Sequence, residues 1–192
     1  MGEIMSDVQD NILTRRTVYK FTDKDVPESI INQALIAASK APCHKHTHPW
    51  KFYVLGPNTR KKVLPAVERL ARKKANKPDV DESVLERART KILSPPALIA
   101  VTSLRNSEDA FREEEDYAAS VCALHNAVLA LWNHDIGCQW STGGLTRDSE
   151  FYTVLDIDSS EERIIGLLKA GYPESIPSVK KKAIDEMRFY LE

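Results

Sequence analysis

The longest apolar stretch of the chain runs over residues 118–131 and reads AASVCALHNAVLAL. Three polar residues interrupt it: Ser120, His125 and Asn126. A membrane span needs about 20 apolar residues, so this stretch predicts a helix buried inside the protein. The helical pattern covers about 112–135 and is apolar on nearly all sides, which is typical of a central helix. We expect Gly137 to end it in a left-handed conformation.

The rest of the pattern predicts an α+β fold with a small mixed central sheet flanked by helices. Apolar residues recur at helical spacing over residues 4–12, 30–38, 63–70, 84–88 and 148–154. Runs typical of strands lie at 50–55, 97–101, 138–140 and 163–170. Widely separated strands with helices between them favour this architecture. The length of 192 residues fits one domain, which we expect to cover 1–192.

Charge and composition exclude some classes of function. The net charge is −1, so the chain has no overall attraction to nucleic acid or to anionic membranes. Two runs are biased, with a net charge of +6 over 60–91 and −5 over 106–116. Solvated helix faces are the favoured interpretation of both runs. A nucleic-acid surface would need aromatic residues among the basic ones, and 60–91 contains none.

Cysteine usage indicates a reducing compartment. The three cysteines form no C-x-x-C pair, and their odd number argues against a disulfide framework. The first residues show no basic region followed by an apolar core, as a signal peptide would. The expected location is the cytoplasm.

Three short segments are candidates for a binding site. Arg15, Arg16 and Thr17 stand at the end of the first predicted helix, where cations complement the helix dipole. Taken alone, the residues favour that interpretation over the alternative, a clamp for a phosphate group. The segment Trp140-Ser141-Thr142-Gly143-Gly144 follows the central helix and a short strand. It is either a simple turn or a loop whose glycines let a planar ligand approach the backbone.

The third segment is a histidine-rich loop between a helix and a strand, reading SKAPCHKHTHPWKF over residues 39–52. Alternate histidines are typical of zinc ligands, and they stand at His44, His46 and His48. A zinc site would need a strand to align them and a further ligand. Pro42 and Pro49 argue instead for an irregular loop.

Taken in order, the three segments resemble the FMN-dependent nitroreductase family. Phe21 follows Thr17 at the family's spacing, and Ala-Pro-Cys-His-Lys-x-x-x-Pro-Trp is similar to the loop of one branch. The resemblance extends from about 10 to 173. It implies FMN as the cofactor, with Lys40 and His44 reaching the FMN of a partner subunit. The implied cofactor-binding residues are Arg15, Arg16, Thr17, Lys40, His44, Trp140, Ser141, Thr142 and Gly143.

The resemblance also implies a reaction and an assembly. Reducing equivalents would pass from NADH or NADPH to a nitroaromatic, quinone or similar small acceptor by a ping-pong mechanism. The protein would be a homodimer with FMN at the interface and the tail 174–192 packed on the partner. Tyr19 departs from the family, which often has a cation there. This leaves a storage or regulatory flavoprotein as an alternative, and a metal hydrolase using His44, His46 and His48 as another.

Overall fold

A four-stranded antiparallel sheet forms the centre of the computed structural model, which describes residues 3–76 and 80–191. The strands are β1 (Trp50–Val54), β2 (Ala97–Leu104), β3 (Gly137–Ser141) and β4 (Glu162–Gly171), in the spatial order β1-β2-β4-β3. The central strands β2 and β4 are buried along nearly their whole length, as their continuous apolar runs predict. The predicted α+β fold with a small central sheet flanked by helices is confirmed; all pairings within the sheet are antiparallel, and a parallel bridge outside the four strands joins Thr17 to Cys138.

Helices cover both faces of this sheet. They are α1 (Glu3–Thr14), α2 (Glu28–Ala38), α3 (Pro57–Lys62), α4 (Leu64–Ala75), α5 (Glu82–Leu93), α6 (Ala110–Trp132) and α7 (Ser149–Leu155). Helices α2 and α6 share one core cluster with the sheet, while residues of α4, α5 and α7 share the other. Asp148 caps α7 as predicted, accepting a hydrogen bond from the Phe151 amide at 3.4 Å.

The central helix α6 is buried on the face that packs against α2 and the sheet, but not all round. Its exposed side includes Ala118, Cys122 and His125, which recur at helical spacing. The helix is thus only partly covered within one chain. No helix in the described residues is long and apolar enough to cross a membrane.

The prediction for the end of α6 was wrong in one respect. The helix ends at Trp132, and the left-handed residue that follows is Asp135, with a φ of 59°. Gly137 instead begins β3 and has no positive φ. A Cβ at Gly137 would lie 2.4 Å from the Val18 side chain, so this glycine is needed for close packing between β3 and the segment after α1.

Candidate functional site

The segment after α1 lies along β3. Beside the Thr17 bridge, the Val18 amide donates a hydrogen bond to the Cys138 carbonyl at 3.0 Å. Asn11 Nδ2 ties α1 to α6 by donating to the Leu129 carbonyl at 3.0 Å. The arginine pair is therefore fixed near the C-terminal half of α6 and the start of β3.

The two arginines have different partners. Arg16 Nη1 donates to the carbonyl of Leu13 at 2.7 Å and to that of Arg15 at 2.9 Å. It thereby satisfies carbonyls that the end of α1 leaves without helical partners. The Arg15 side chain makes no hydrogen bond and no ion pair within the described residues. Of the two guanidinium groups, that of Arg15 is the one left available to an anion.

The positive charge of Arg15 affects the pKa of two neighbouring side chains. Burial lowers the pKa of His125, and the positive charge of Arg15 lowers it further. Burial raises the pKa of the Cys138 thiol to about 12, although Arg15 acts in the opposite direction. Cys138 is therefore a neutral thiol, and its surroundings give it no nucleophilic character.

The other end of β3 leads into a loop that borders a cavity of about 1030 Å³. Thr142, Gly143 and Gly144 line this cavity together with Tyr117 of α6. A Cβ at Gly143 would meet nothing within 4 Å, so the space before its backbone is open. Trp140 precedes the loop and donates from Nε1 to the Ile165 carbonyl at 3.2 Å, with its ring against Gly166.

The two segments lie at opposite ends of β3, which packs beside α6. At the rise per residue of a strand, the chain from Cys138 to Thr142 covers about 13 Å. Thr17, which bridges to Cys138, and Thr142 are therefore about that far apart along β3.

Sequence reasoning missed a cluster of charged and aromatic side chains at the cavity. The Arg163 guanidinium stacks 4.4 Å from the centroid of the Tyr117 ring. Arg105 and Arg163 each lie 3.7 Å from a carboxylate oxygen of Glu113. The acidic run 106–116 contains Glu113 and was the one sequence feature that pointed to this cluster. Because the run was interpreted as a solvated helix face, its ion pairs with Arg105 and Arg163 were not predicted.

The histidine loop contacts the N-terminal end of α6, far from the end that contacts α1. Arg112 Nη2 donates to the His44 carbonyl at 2.9 Å, and Thr47 Oγ1 donates to the Asp116 carboxylate at 2.7 Å. Arg112 holds this loop and Leu129 holds α1. These two residues of α6 are about 26 Å apart along the helix. Among the described residues, neither Lys40 nor His44 lines the cavity at Thr142.

The loop has an unusual backbone. Lys45, His46 and His48 have φ values of 50°, 54° and 46°, respectively. Such values are uncommon for residues other than glycine. These conformations persist where the surroundings hold them, and they often mark ligand-binding segments. Within the described residues, no group of three histidine, cysteine or acidic side chains is arranged to hold a metal ion.

Comparison with known proteins identifies relatives over nearly the whole chain. A model of the nitroreductase family matches residues 12–172. YfhC of Bacillus subtilis (strain 168), named "Putative NAD(P)H nitroreductase", is 30% identical over 184 residues, covering 96% of this chain and 93% of YfhC.

Solved structures show the same fold. A nitroreductase-like family protein from Bacillus cereus superimposes with a TM-score of 0.81 at 30% identity, covering 96% of each chain. A "putative nitroreductase in complex with FMN" from Desulfovibrio desulfuricans superimposes with a TM-score of 0.76 at 20% identity, again over 96% of each chain. At that identity, the second likeness shows the fold alone.

Proposed function

Because the chain belongs to the nitroreductase family, we propose that it is an FMN-dependent oxidoreductase using NADH or NADPH. The acceptor we propose is a nitroaromatic, a quinone or a similar small molecule. The observation that carries the proposal is the pair of segments at the two ends of β3, with an unpaired guanidinium near its start and an open glycine backbone after its end. The three free cysteines fit the cytoplasmic location that we propose for the enzyme.

The two segments suit FMN in their chemistry. The Arg15 guanidinium offers paired donors to the phosphate, with Thr17 and the helix-capping Arg16 beside it. Ser141, Thr142 and Gly143 offer small side chains and open backbone to a flat ring system, and we assign Trp140, which precedes them, to the same site. Bound FMN would supply the hydride chemistry, accepting from the nicotinamide and delivering to the acceptor in a ping-pong mechanism. The protein would contribute binding, orientation and charge.

The site we propose is completed by a second subunit. The exposed stripe of α6 runs from Ala118 to His125, so its centre lies between residues 121 and 122. A two-fold axis there would place residue 112 of one helix opposite residue 131 of its partner. His44, held at Arg112, would then lie near the Arg15 end of the partner's site, and we assign Lys40 to the same end.

The tail supports a dimer independently. Its apolar side chains are exposed within one chain, including Phe189 at 79% and Leu191 at 94%. Apolar surface of this kind on a single chain is typical of an interaction site. We propose that the tail 174–192 packs on the partner subunit.

Two measurements test the function. The purified protein should show the visible absorption of flavin at one FMN per subunit, and stopped-flow mixing with NADH or NADPH should bleach it. Adding a quinone after this reduction should reoxidise the flavin and restore the absorption. Colourless protein that takes up no added FMN would overturn the proposal.

A second candidate is a flavoprotein for storage or regulation with little turnover. It rests on Tyr19, which is 66% exposed here and which stands where the resemblance implies a cation in many family members. The same stopped-flow experiment separates the two candidates. Bound flavin that neither NADH nor NADPH reduces at a useful rate would favour storage or regulation.

A further inference from the structure

A second cavity, of about 520 Å³, also borders the Ser141–Gly144 loop and lies between that loop, α4, α5 and the end of β4. Its walls are largely apolar. They include Val67, Leu70, Ala71, Ile92, Leu145 and Leu167. Lysines supply all the charged side chains among the described residues that line it. These are Lys73, Lys74, Lys91 and Lys169.

Lys169 differs from the other three lysines because it is only 6% exposed. It lies within β4, opposite Leu98 of β2 and Gln139 of β3. Within the described residues its ammonium group makes no hydrogen bond and no ion pair. Burial lowers the pKa of Lys169, and the nearby charge of Lys91 lowers it further. An unpartnered cation in such a position opposes folding, so its presence calls for a compensating role.

Arg60 shows how this protein satisfies a buried cation elsewhere. Its guanidinium donates to the carbonyls of Leu55 at 2.8 Å, Pro95 at 2.5 Å and Pro96 at 3.3 Å. Lys169 has no comparable set of acceptors in the part of the chain that the structure describes. Lys169 instead lines the second cavity. The volume of that cavity falls within the range of small-molecule sites, from about 300 to about 1000 Å³.

We propose that this cavity binds a small organic anion, whose carboxylate pairs with Lys169 and whose apolar body lies against α4 and α5. Lys73, Lys74 and Lys91 are exposed at the rim and attract the anion toward the cavity. The carboxylate supplies the hydrogen-bond acceptor that Lys169 lacks among the described residues, while Val67, Leu70 and Leu167 contact the apolar part of the ligand. The cavity shares Ser141, Thr142 and Gly143 with the proposed FMN site, but the pairing at Lys169 does not require bound FMN.

Calorimetric titration with octanoate tests the site in the protein as purified. The parent should bind octanoate at least about tenfold more tightly than 1-octanol, which has a similar body and no charge. Lys169→Met should weaken octanoate binding by about ten- to a hundred-fold and leave 1-octanol binding unchanged or stronger. Lys169→Arg should retain more octanoate affinity than Lys169→Met, because it keeps a cation that can pair with the carboxylate.

Lys74→Met is the matched control, because it removes an exposed charge at the rim; it should change octanoate affinity by less than about threefold. The flavin content of each variant is measured in parallel, so loss of FMN is distinguished from loss of the anion site. The proposal is wrong if octanoate binds no better than 1-octanol to the parent, or equally well to Lys169→Met. Comparing the two probes on the parent tests the proposal even where a variant does not fold.

Discussion

At the level of single residues, two neighbouring arginines have separate tasks. Arg16 is engaged by the carbonyls that end α1, whereas the Arg15 side chain is unpaired within the described residues and lies near the start of β3. The sequence suggested both a helix-dipole role and a phosphate role for the pair as a whole. The structure assigns the helix role to Arg16, and the phosphate role stays a prediction for Arg15.

Replacing Arg15 by alanine should therefore weaken FMN binding by about ten- to a hundred-fold, because a charge-assisted contact to phosphate is lost. Fluorescence titration of the apoprotein with FMN measures this change. Arg16→Ala should have a smaller effect on FMN affinity. Arg188→Ala is the surface control, since Arg188 pairs with Asp185 in the tail. Equal FMN affinity in the parent and in Arg15→Ala would remove Arg15 from the site.

At the level of elements, the sequence predicted most helices and strands because their periodicity and capping residues are local. The bounds of β1, the buried β2 and the Asp148 cap all followed from short patterns. The cavity cluster did not, because Tyr117 and Arg163 meet only after α6 has packed on β4, and no local pattern encodes that contact. The strained backbone of the histidine loop could not be predicted from the sequence either, because contacts with α6 hold the loop.

A buried carboxylate joins three of the strands. Glu162 of β4 accepts hydrogen bonds from Lys51 at 2.5 Å, Thr102 at 2.6 Å and Tyr53 at 3.0 Å. Burial alone would raise the pKa of Glu162, but these donors outweigh it and the net pKa is lowered. Burial, and then the Glu162 carboxylate, raise the pKa of Tyr53 to about 12, so its phenol stays protonated and donates a hydrogen bond.

Glu162→Gln should lower the free energy of unfolding by about 1–3 kcal/mol near neutral pH, because charged hydrogen bonds are lost in a buried cluster. A carboxyl whose pKa is lowered on folding stabilises the protein above its unfolded pKa of about 4.3. That stabilisation disappears as pH falls through the folded pKa. The difference between parent and variant should thus shrink in acid, as urea unfolding at several pH values can measure. Glu161→Gln, at an exposed neighbour, should show no such difference, and a gap that is constant with pH would contradict the assignment.

At the level of the whole molecule, two surfaces are uncovered within one chain: the exposed stripe of α6 and the apolar tail. The stripe belongs to the same helix as Tyr117, which lines the cavity at Thr142. In the proposed assembly, a subunit that covers the stripe would also border the FMN site, so cofactor binding and dimerisation would be coupled.

Ala118→Arg should separate the subunits and release FMN together, because it places a long charged side chain on the exposed stripe that the proposed dimer buries. In the proposed assembly FMN binds only the dimer, so added FMN should in turn shift the parent toward the dimer. Sedimentation monitored in the flavin band reports mass and cofactor at once. Asn58→Arg adds the same side chain to an exposed site on α3, away from α6, and should leave a dimer with full FMN. Stoichiometric FMN on a stable monomer of Ala118→Arg would refute both the dimer and the shared site.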